Sequence, residues 1–298
     1  MKKHTKRIKK LSKEIISLIS DKSSIPRLEQ LRVKEYKDRI EKVNGEKLVI
    51  IPWSGGLDST TCLLMALESS CKVQTVFFDY GQSYANKERK AIERILSKLN
   101  GTEFSDQLIS HVDLDISWLA DDMADLFPGD WRHIFPMRNL IILLLATEQS
   151  DHDFKEVWFG AVQGEIPFSG GDKSEVFTKY MRKYLLNEHN TVLHTPLSNI
   201  TKGDMVNWAA AYKSRLDIIK ETVSCFDSRN DSHCSQCQAC FNRAVGFYNA
   251  DKLDASGLNM NNDSFKEHAR SYIDKLKEND YYSFRRRDEL NKFIKELL

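Results

Sequence analysis

Val49-Ile50-Ile51-Pro52-Trp53-Ser54-Gly55-Gly56-Leu57-Asp58-Ser59-Thr60-Thr61 decides the fold. An apolar run meets a pair of glycines, and Cys62-Leu63-Leu64-Met65-Ala66-Leu67 follows directly. That order predicts a buried strand, a tight loop and a helix. The glycines let the backbone turn sharply and come close to a ligand. Unpaired amides at the helix start, with the Ser59, Thr60 and Thr61 hydroxyls, make a site for phosphate oxygens. A Walker loop is excluded, because its lysine is missing.

The chain on either side continues the pattern. Val73–Phe78 reads as a second strand, ending in Asp79-Tyr80-Gly81-Gln82. Tyr84, Glu88, Ala91, Ile92, Ile95 and Leu99 then recur at helical spacing. Residues 110–137 are expected to be irregular and to form a lid. Asn139–Thr147 is almost wholly apolar, so it predicts a helix buried in the middle of the fold. Glu156-Val157-Trp158-Phe159-Gly160 reads as another strand, and Thr201-Lys202-Gly203-Asp204 as a capping box opening a helix. Strands alternating with helices imply an α/β fold, a parallel twisted sheet covered by helices on both faces. Ligands in such folds sit beyond the carboxyl ends of the strands. Ser54–Thr61, Asp79–Gln82 and Gly160 all fall at such ends.

Two helical extensions flank this core, which runs over residues 47–222 and is followed by a cysteine loop over 223–250. Residues 1–46 carry Ile8, Leu11, Ile15, Leu18 and Ile19 on one helical face. Residues 251–298 carry Phe265, Tyr272, Ile273 and Leu276, then Leu290, Phe293, Ile294 and Leu297. The net charge of +1 hides an asymmetry: residues 1–45 hold 14 Lys and Arg against 6 Asp and Glu, +8, which leaves −7 for the rest. A basic arm suits an acidic partner, a protein face or a nucleic acid, and equally a solvated helix surface. No eighteen-residue apolar run and no apolar signal core are present, so a cytoplasmic protein off the membrane is expected.

Four of the six cysteines, Cys225, Cys234, Cys237 and Cys240, follow the spacing C-x8-C-x2-C-x2-C. Without a secretion signal, such clustering points to metal rather than to disulfides. Four thiolates fit a closed, structural, tetrahedral Zn²⁺ site; an iron–sulfur cluster is the rival.

Ser-Gly-Gly-x-Asp-Ser-Thr at Ser54–Thr60 resembles the pyrophosphate loop of the ATP pyrophosphatases. Loop and cysteines together, with Arg243 and Gly246-Phe247, resemble the QueC family of 7-cyano-7-deazaguanine synthases over residues 47–250. Asp79-Tyr80-Gly81-Gln82, Phe135-Pro136-Met137-Arg138-Asn139-Leu140, His194-Thr195-Pro196-Leu197 with Thr201-Lys202, and Val223-Ser224-Cys225-Phe226 match it in order. The resemblance implies an adenine nucleotide alpha hydrolase-like fold, an ATP-dependent C–N ligase and, as a rule, a homodimer. Its substrate would be 7-carboxy-7-deazaguanine, activated by ATP with Mg²⁺ and passed to ammonia, giving an amide and then the nitrile. Asp58, Arg138 and Lys202 are the expected catalytic residues, with Arg243 as a further cationic contact. Ser54, Gly55, Gly56, Leu57, Asp58, Ser59, Thr60, Asp79, Gly160 and Lys202 are expected to hold the nucleotide. Tyr80, Gln82, Phe168, Ser169 and Asp172 are expected to hold the deazaguanine.

The departures lie on the substrate side. Ser83-Tyr84 stand where the family has Arg-His, and Lys173-Ser174 where it has Cys-Arg. These departures and the extensions suggest a QueC-like relative with an altered acceptor. Such relatives occur in anti-phage gene clusters, including CBASS systems, and the acceptor would be an amine on a partner protein docked on the extensions. Two rivals remain from the sequence: a tRNA-modifying enzyme sharing the loop, and a nucleotide-binding or zinc-bearing module without catalysis.

Overall fold

The computed structural model describes residues 48–69, 71–119, 137–150, 155–162, 171–229, 231–261, 263–277 and 282–298. The N-terminal extension, residues 120–136 of the expected lid, and Phe168 and Ser169 lie outside the described residues.

Five parallel strands run in the order β3-β2-β1-β4-β5. They are β1 (Leu48–Pro52), β2 (Lys72–Asp79), β3 (Leu108–Asp115), β4 (Lys155–Trp158) and β5 (Thr191–His194). Central β1 places Val49 between Val73 of β2 and Glu156 of β4. The chain leaves β1 toward β2 and β3, then returns to the other side for β4 and β5. The order therefore reverses at β1, where such sheets open a crevice at the strands' carboxyl ends.

Alternation along the strands sends side chains to two separate cores. Val49, Ile51, Trp53, Val73 and Phe77 face one layer. It contains α1 (Leu57–Glu68), α2 (Ala85–Leu99), α5 (Lys202–Ala210) and α6 (Lys213–Lys220). Ile50, Val76, Phe78, Val157 and Leu193 face the other, covered by α3 (Arg138–Thr147) and α4 (Glu175–His189). Successive strand residues point to opposite faces, so a buried parallel sheet must be apolar on both. The expected helices on both faces are present.

Two sequence expectations are corrected. Residues 108–115 form the edge strand β3, which runs into the start of the stretch expected to be irregular. The second half of its sequence, Val112-Asp113-Leu114-Asp115, alternates apolar with polar residues as an edge strand does when one side meets solvent. Helix α3 is an outer-layer helix rather than a central one. It buries Asn139, Leu143, Ala146 and Thr147, and leaves Leu140, Ile141, Ile142, Leu144 and Leu145 partly covered.

After α6 the chain runs through the cysteine segment into α7 (Gln238–Asn249), a short 3₁₀ turn, α8 (Asp263–Lys277) and α9 (Phe284–Leu297). These elements share a third core, with Phe241 of α7 stacked on Tyr272 of α8 at 5.2 Å and edge-on to Phe293 of α9. Fully buried Arg243 of α7 donates to the Ser256 carbonyl at 2.7 Å and to Thr222 Oγ1 at 2.8 Å. It also lies over the Phe247 ring, and burial pulls its pKa down to about 10. Arg243 is a clamp inside the core, with no exposed surface and no place on the wall of the cavity at the β1–α1 turn, so its expected contact with a phosphate there is corrected.

Candidate active site

The β1–α1 turn is built as a cradle. Gly55 sits at φ +68°, a conformation that L side chains rarely adopt, so the turn requires glycine there. Ser54 and Ser59 brace the turn from inside: the Ser54 amide donates to Ser59 Oγ, and the two hydroxyls lie 3.3 Å apart. Trp53 Nε1 donates to Thr60 Oγ1 at 3.0 Å, which ties the strand end to the helix and takes Thr60 away from the cavity. Gly56 gives α1 no side-chain cap. First-turn amides without a capping side chain, at the positive end of a helix dipole, suit an anion.

Two more elements close on this turn. A Cβ placed on Gly160, just beyond β4, would lie 3.2 Å from the Asp58 backbone, so only glycine fits there comfortably. Lys202, the first residue of α5, forms an ion pair with Asp58. Its side chain is only 10% exposed and Asp58's only 18%, so the pair is held off bulk solvent and screened little. The predicted capping box of α5 is formed, with Thr201 Oγ1 accepting from the Asp204 amide and Asp204 Oδ2 from the Thr201 amide at 2.8 Å. Gly246 of α7 packs against Lys202, since a Cβ there would stand 2.6 Å from the lysine's own Cβ.

Ser54, Gly56, Leu57, Asp58, Ser59, Gly160 and Lys202 line one cavity of about 280 Å³ with Tyr80, Gln82 and Arg138. Arg138 Nη1 donates to Tyr80 Oη at 2.9 Å, and Tyr80 Oη lies 3.0 Å from Tyr84 Oη. Gln82 bridges the Tyr80 amide, the Phe78 carbonyl and Glu88. Burial raises the Tyr80 and Tyr84 phenols, so both stay protonated; burial also works against the charge of Arg138, but its hydrogen bond to Tyr80 and the nearby Asp172 carboxylate hold it charged.

Four expected site residues lie off the cavity wall. Gly55 shapes the turn, and Thr60 is held by Trp53. Asp79 pairs with Arg89 at 2.7 Å and accepts from the Gly81 amide. Asp172 caps α3, its Oδ2 accepting from the Asn139 amide at 2.8 Å. Conversely, Tyr84, Glu88, Lys173, Phe226, Gln238 and Asn242 line the cavity without having been expected there. Tyr84 and Glu88 were legible only as positions on the buried face of a helix; a carboxylate on such a face was the available signal.

The cysteine cluster adjoins the same wall through Cys225 and Phe226. The Sγ atoms of Cys225, Cys234, Cys237 and Cys240 all lie within 4.8 Å of one another, with Cys234 and Cys240 at 3.9 Å. Tetrahedral Zn–S bonds of about 2.3 Å require sulfurs about 3.8 Å apart, so the residues fit the ion. Lys87 of α2, buried, donates to the Asp227 and Ser232 carbonyls and holds the loop from outside. His233 accepts from the Ser224 amide at 3.3 Å, and burial with nearby cations lowers it to about 3, so it is a neutral support beside the ligands.

Residues 47–251 match the family model described as queuosine biosynthesis protein QueC. The chain belongs to the QueC family. A 7-cyano-7-deazaguanine synthase from Phocaeicola vulgatus is 31% identical over 66% of this chain and 91% of its own length. One from Clostridium novyi is 31% identical over 69% and 95%, and one from Campylobacter concisus 24% over 70% and 97%. An ATP-bound 4-thiouridine synthetase–RNA complex aligns more loosely, with a TM-score of 0.42 at 15% identity over 74% of this chain and 53% of that one. The QueC match ends at residue 251, before α8 and α9. Among the described residues no helix is long and apolar enough to cross a membrane.

Proposed function

We propose that this QueC-family enzyme uses ATP to activate the carboxylate of 7-carboxy-7-deazaguanine and passes the acyl group to an amine. The observation that carries the reading is the uncapped start of α1, with the Lys202–Asp58 pair beside it and Arg138 on the wall of the same cavity. A carboxylate is a poor acyl donor. Its oxygen attacks the α-phosphorus, the bond to the β-phosphate oxygen breaks, and pyrophosphate leaves. Negative charge grows on the leaving oxygens, where pre-placed amides and cations act most strongly.

The amides of Gly56–Ser59 and the Ser54 and Ser59 hydroxyls hold the pyrophosphate, and Lys202 neutralises it. Asp58 holds Lys202 in place in the free protein and would be the carboxylate to hold Mg²⁺, which would neutralise phosphate charge. Arg138, oriented by Tyr80, meets the carboxylate or the α-phosphate. The nitrogen of the amine then attacks the acyl carbon, and AMP leaves with one carboxylate oxygen. With ammonia the product is a primary amide. A second ATP activates the amide oxygen, and loss of that oxygen with AMP and of two N–H protons gives the nitrile. Four thiolates would leave Zn²⁺ no open position, so a bound ion would serve to fix the wall at Cys225 and Phe226.

A second reading, with an amine on a partner protein as the acceptor, is favoured by Lys173 on the cavity wall, a position where the family carries cysteine. One experiment separates the two: mass spectrometry of the products after incubation with ATP, Mg²⁺, the carboxylic acid and ammonia. Nitrile supports ammonia as the donor. Pyrophosphate release without amide or nitrile supports a protein acceptor. No pyrophosphate release with this acid would overturn both.

A further inference from the structure

We propose that Glu88 reads the substrate ring: its carboxylate receives the two parallel N–H donors of a guanine-like edge, beside the Tyr84 and Phe226 rings. The inference rests on the proposed activation of a deazaguanine acid. Such a molecule makes opposite demands at its two ends. The carboxylate end needs cations, and the edge carrying N1–H and the 2-amino group needs an acceptor with two lone pairs side by side. A carboxylate supplies that pair, as it does for the fork of an arginine.

The cavity wall carries two described carboxylates, and they are not equivalent. Asp58 is paired with Lys202. Glu88 forms no ion pair among the described residues. Its Oε2 accepts from Gln82 Nε2 at 2.9 Å, and Gln82 is itself locked by the Tyr80 amide at 2.9 Å and the Phe78 carbonyl at 3.2 Å. Oε1 accepts no hydrogen bond among the described residues, and Glu88 is half-buried on the cavity wall. One oxygen is thus fixed in direction while the other is left open, the arrangement of a prepared acceptor. The Tyr84 and Phe226 rings, 5.2 Å apart and tilted by 43°, line the same cavity and supply flat surface for an aromatic ring. Asp172, the carboxylate expected from sequence to take this edge, is occupied by the start of α3. A carboxyl raised toward neutrality by burial gains most from two donors that favour its charged form.

The test uses the full chain in ATP–pyrophosphate exchange, which needs no amine. Wild type and Glu88→Gln are compared on 7-carboxy-7-deazaguanine and on the analogue lacking the 2-amino group. Wild type should prefer the amino compound by at least on the order of 10²-fold in kcat/KM. Glu88→Gln should raise KM for the acid by a similar factor, leave KM for ATP unchanged, and reduce the preference to a few-fold. A wild type indifferent to the 2-amino group overturns the proposal without any variant. So does a Glu88→Gln enzyme with normal exchange but slow amide formation, which would place Glu88 on the amine instead. If wild type exchanges with neither acid, the activation reading fails. Calorimetric binding of 7-deazaguanine against 7-deazahypoxanthine then decides the role of Glu88 by the same loss of preference in the variant.

Discussion

Glu289 Oε1 accepts a hydrogen bond at 2.9 Å from the Gly203 amide, one residue beyond Lys202. The same oxygen accepts from the Thr201 hydroxyl, so a carboxylate of α9 completes the cap on the helix that presents Lys202. A Cβ on Gly203 would come within 2.3 Å of that oxygen, which shows how closely α9 is seated. The first consequence concerns Glu289→Ala. It would uncap α5 and leave Arg286, 2% exposed, without its carboxylate partner. Removing one partner of a buried pair costs about 3–5 kcal/mol. Chemical denaturation should show a loss of that order, and Glu289→Gln, which keeps the acceptor for Gly203, a smaller one.

Lys202→Ala removes the cation facing the α1 cradle. Loss of one pre-placed charge or donor for a transition state costs about 10²–10³ in rate. Pyrophosphate exchange should fall by that range in kcat. The far-ultraviolet dichroism should stay that of the parent, because the capping box at Thr201 and Asp204 does not use the lysine side chain.

The cysteine cluster predicts one zinc per chain by elemental analysis, lost in Cys237→Ser. Metal binding of this kind is coupled to folding. Cys225 and Cys240 belong to the core formed by α7, α8 and α9, so strong chelators should abolish the thermal transition of that region along with the metal. A protein that keeps its melting curve after complete zinc removal would contradict a structural site.

Glu88 gives stability a pH dependence whose sign follows from its burial. Desolvation is the largest cause and pushes its pKa up to about 7, opposed by the Gln82 hydrogen bond, Arg138 and Arg89 and assisted by Asp79. The unfolded chain releases this proton near pH 4.5. Between 4.5 and about 7 the folded ligand-free protein holds more protons, so this group's contribution is full below 4.5 and is lost as pH rises through 7. Denaturant unfolding of wild type and Glu88→Gln across pH 5–8 should show the wild-type curve falling relative to the variant. Parallel curves would mean an ordinary carboxyl.

Much of this was legible because local chemistry and global fold agree. The loop at Ser54–Thr61, the capping box at Thr201–Asp204 and the cysteine spacing are short-range patterns, and each stands where its residues imply. Strand β3 was not legible, because an edge strand with Ser110, His111, Asp113 and Asp115 carries half the apolar signal of a buried one. Strand β5 holds only Val192 and Leu193 as apolar residues between Thr191 and His194, whereas β4 runs on through Val157-Trp158-Phe159, so its apolar run is too short to register. The fates of Asp172 and Arg243 were hidden for another reason. Each is a charged residue in a matching segment, and only the fold reveals that one caps α3 and the other clamps a core. Glu88 is the reverse case, an acidic residue at helical spacing that the α2 turn beside Gly55 brings to the cavity.

The Val223 amide donates to the Gly55 carbonyl at 3.0 Å, and two residues later Cys225 is both a cavity wall and a cluster thiol. A metal on the thiols and a nucleotide in the β1–α1 cradle would therefore bear on one short backbone segment from its two ends. If zinc bound to the thiols changes the affinity for ATP by some factor, ATP must change the affinity for zinc by the same factor, so that the two affinities form one closed cycle.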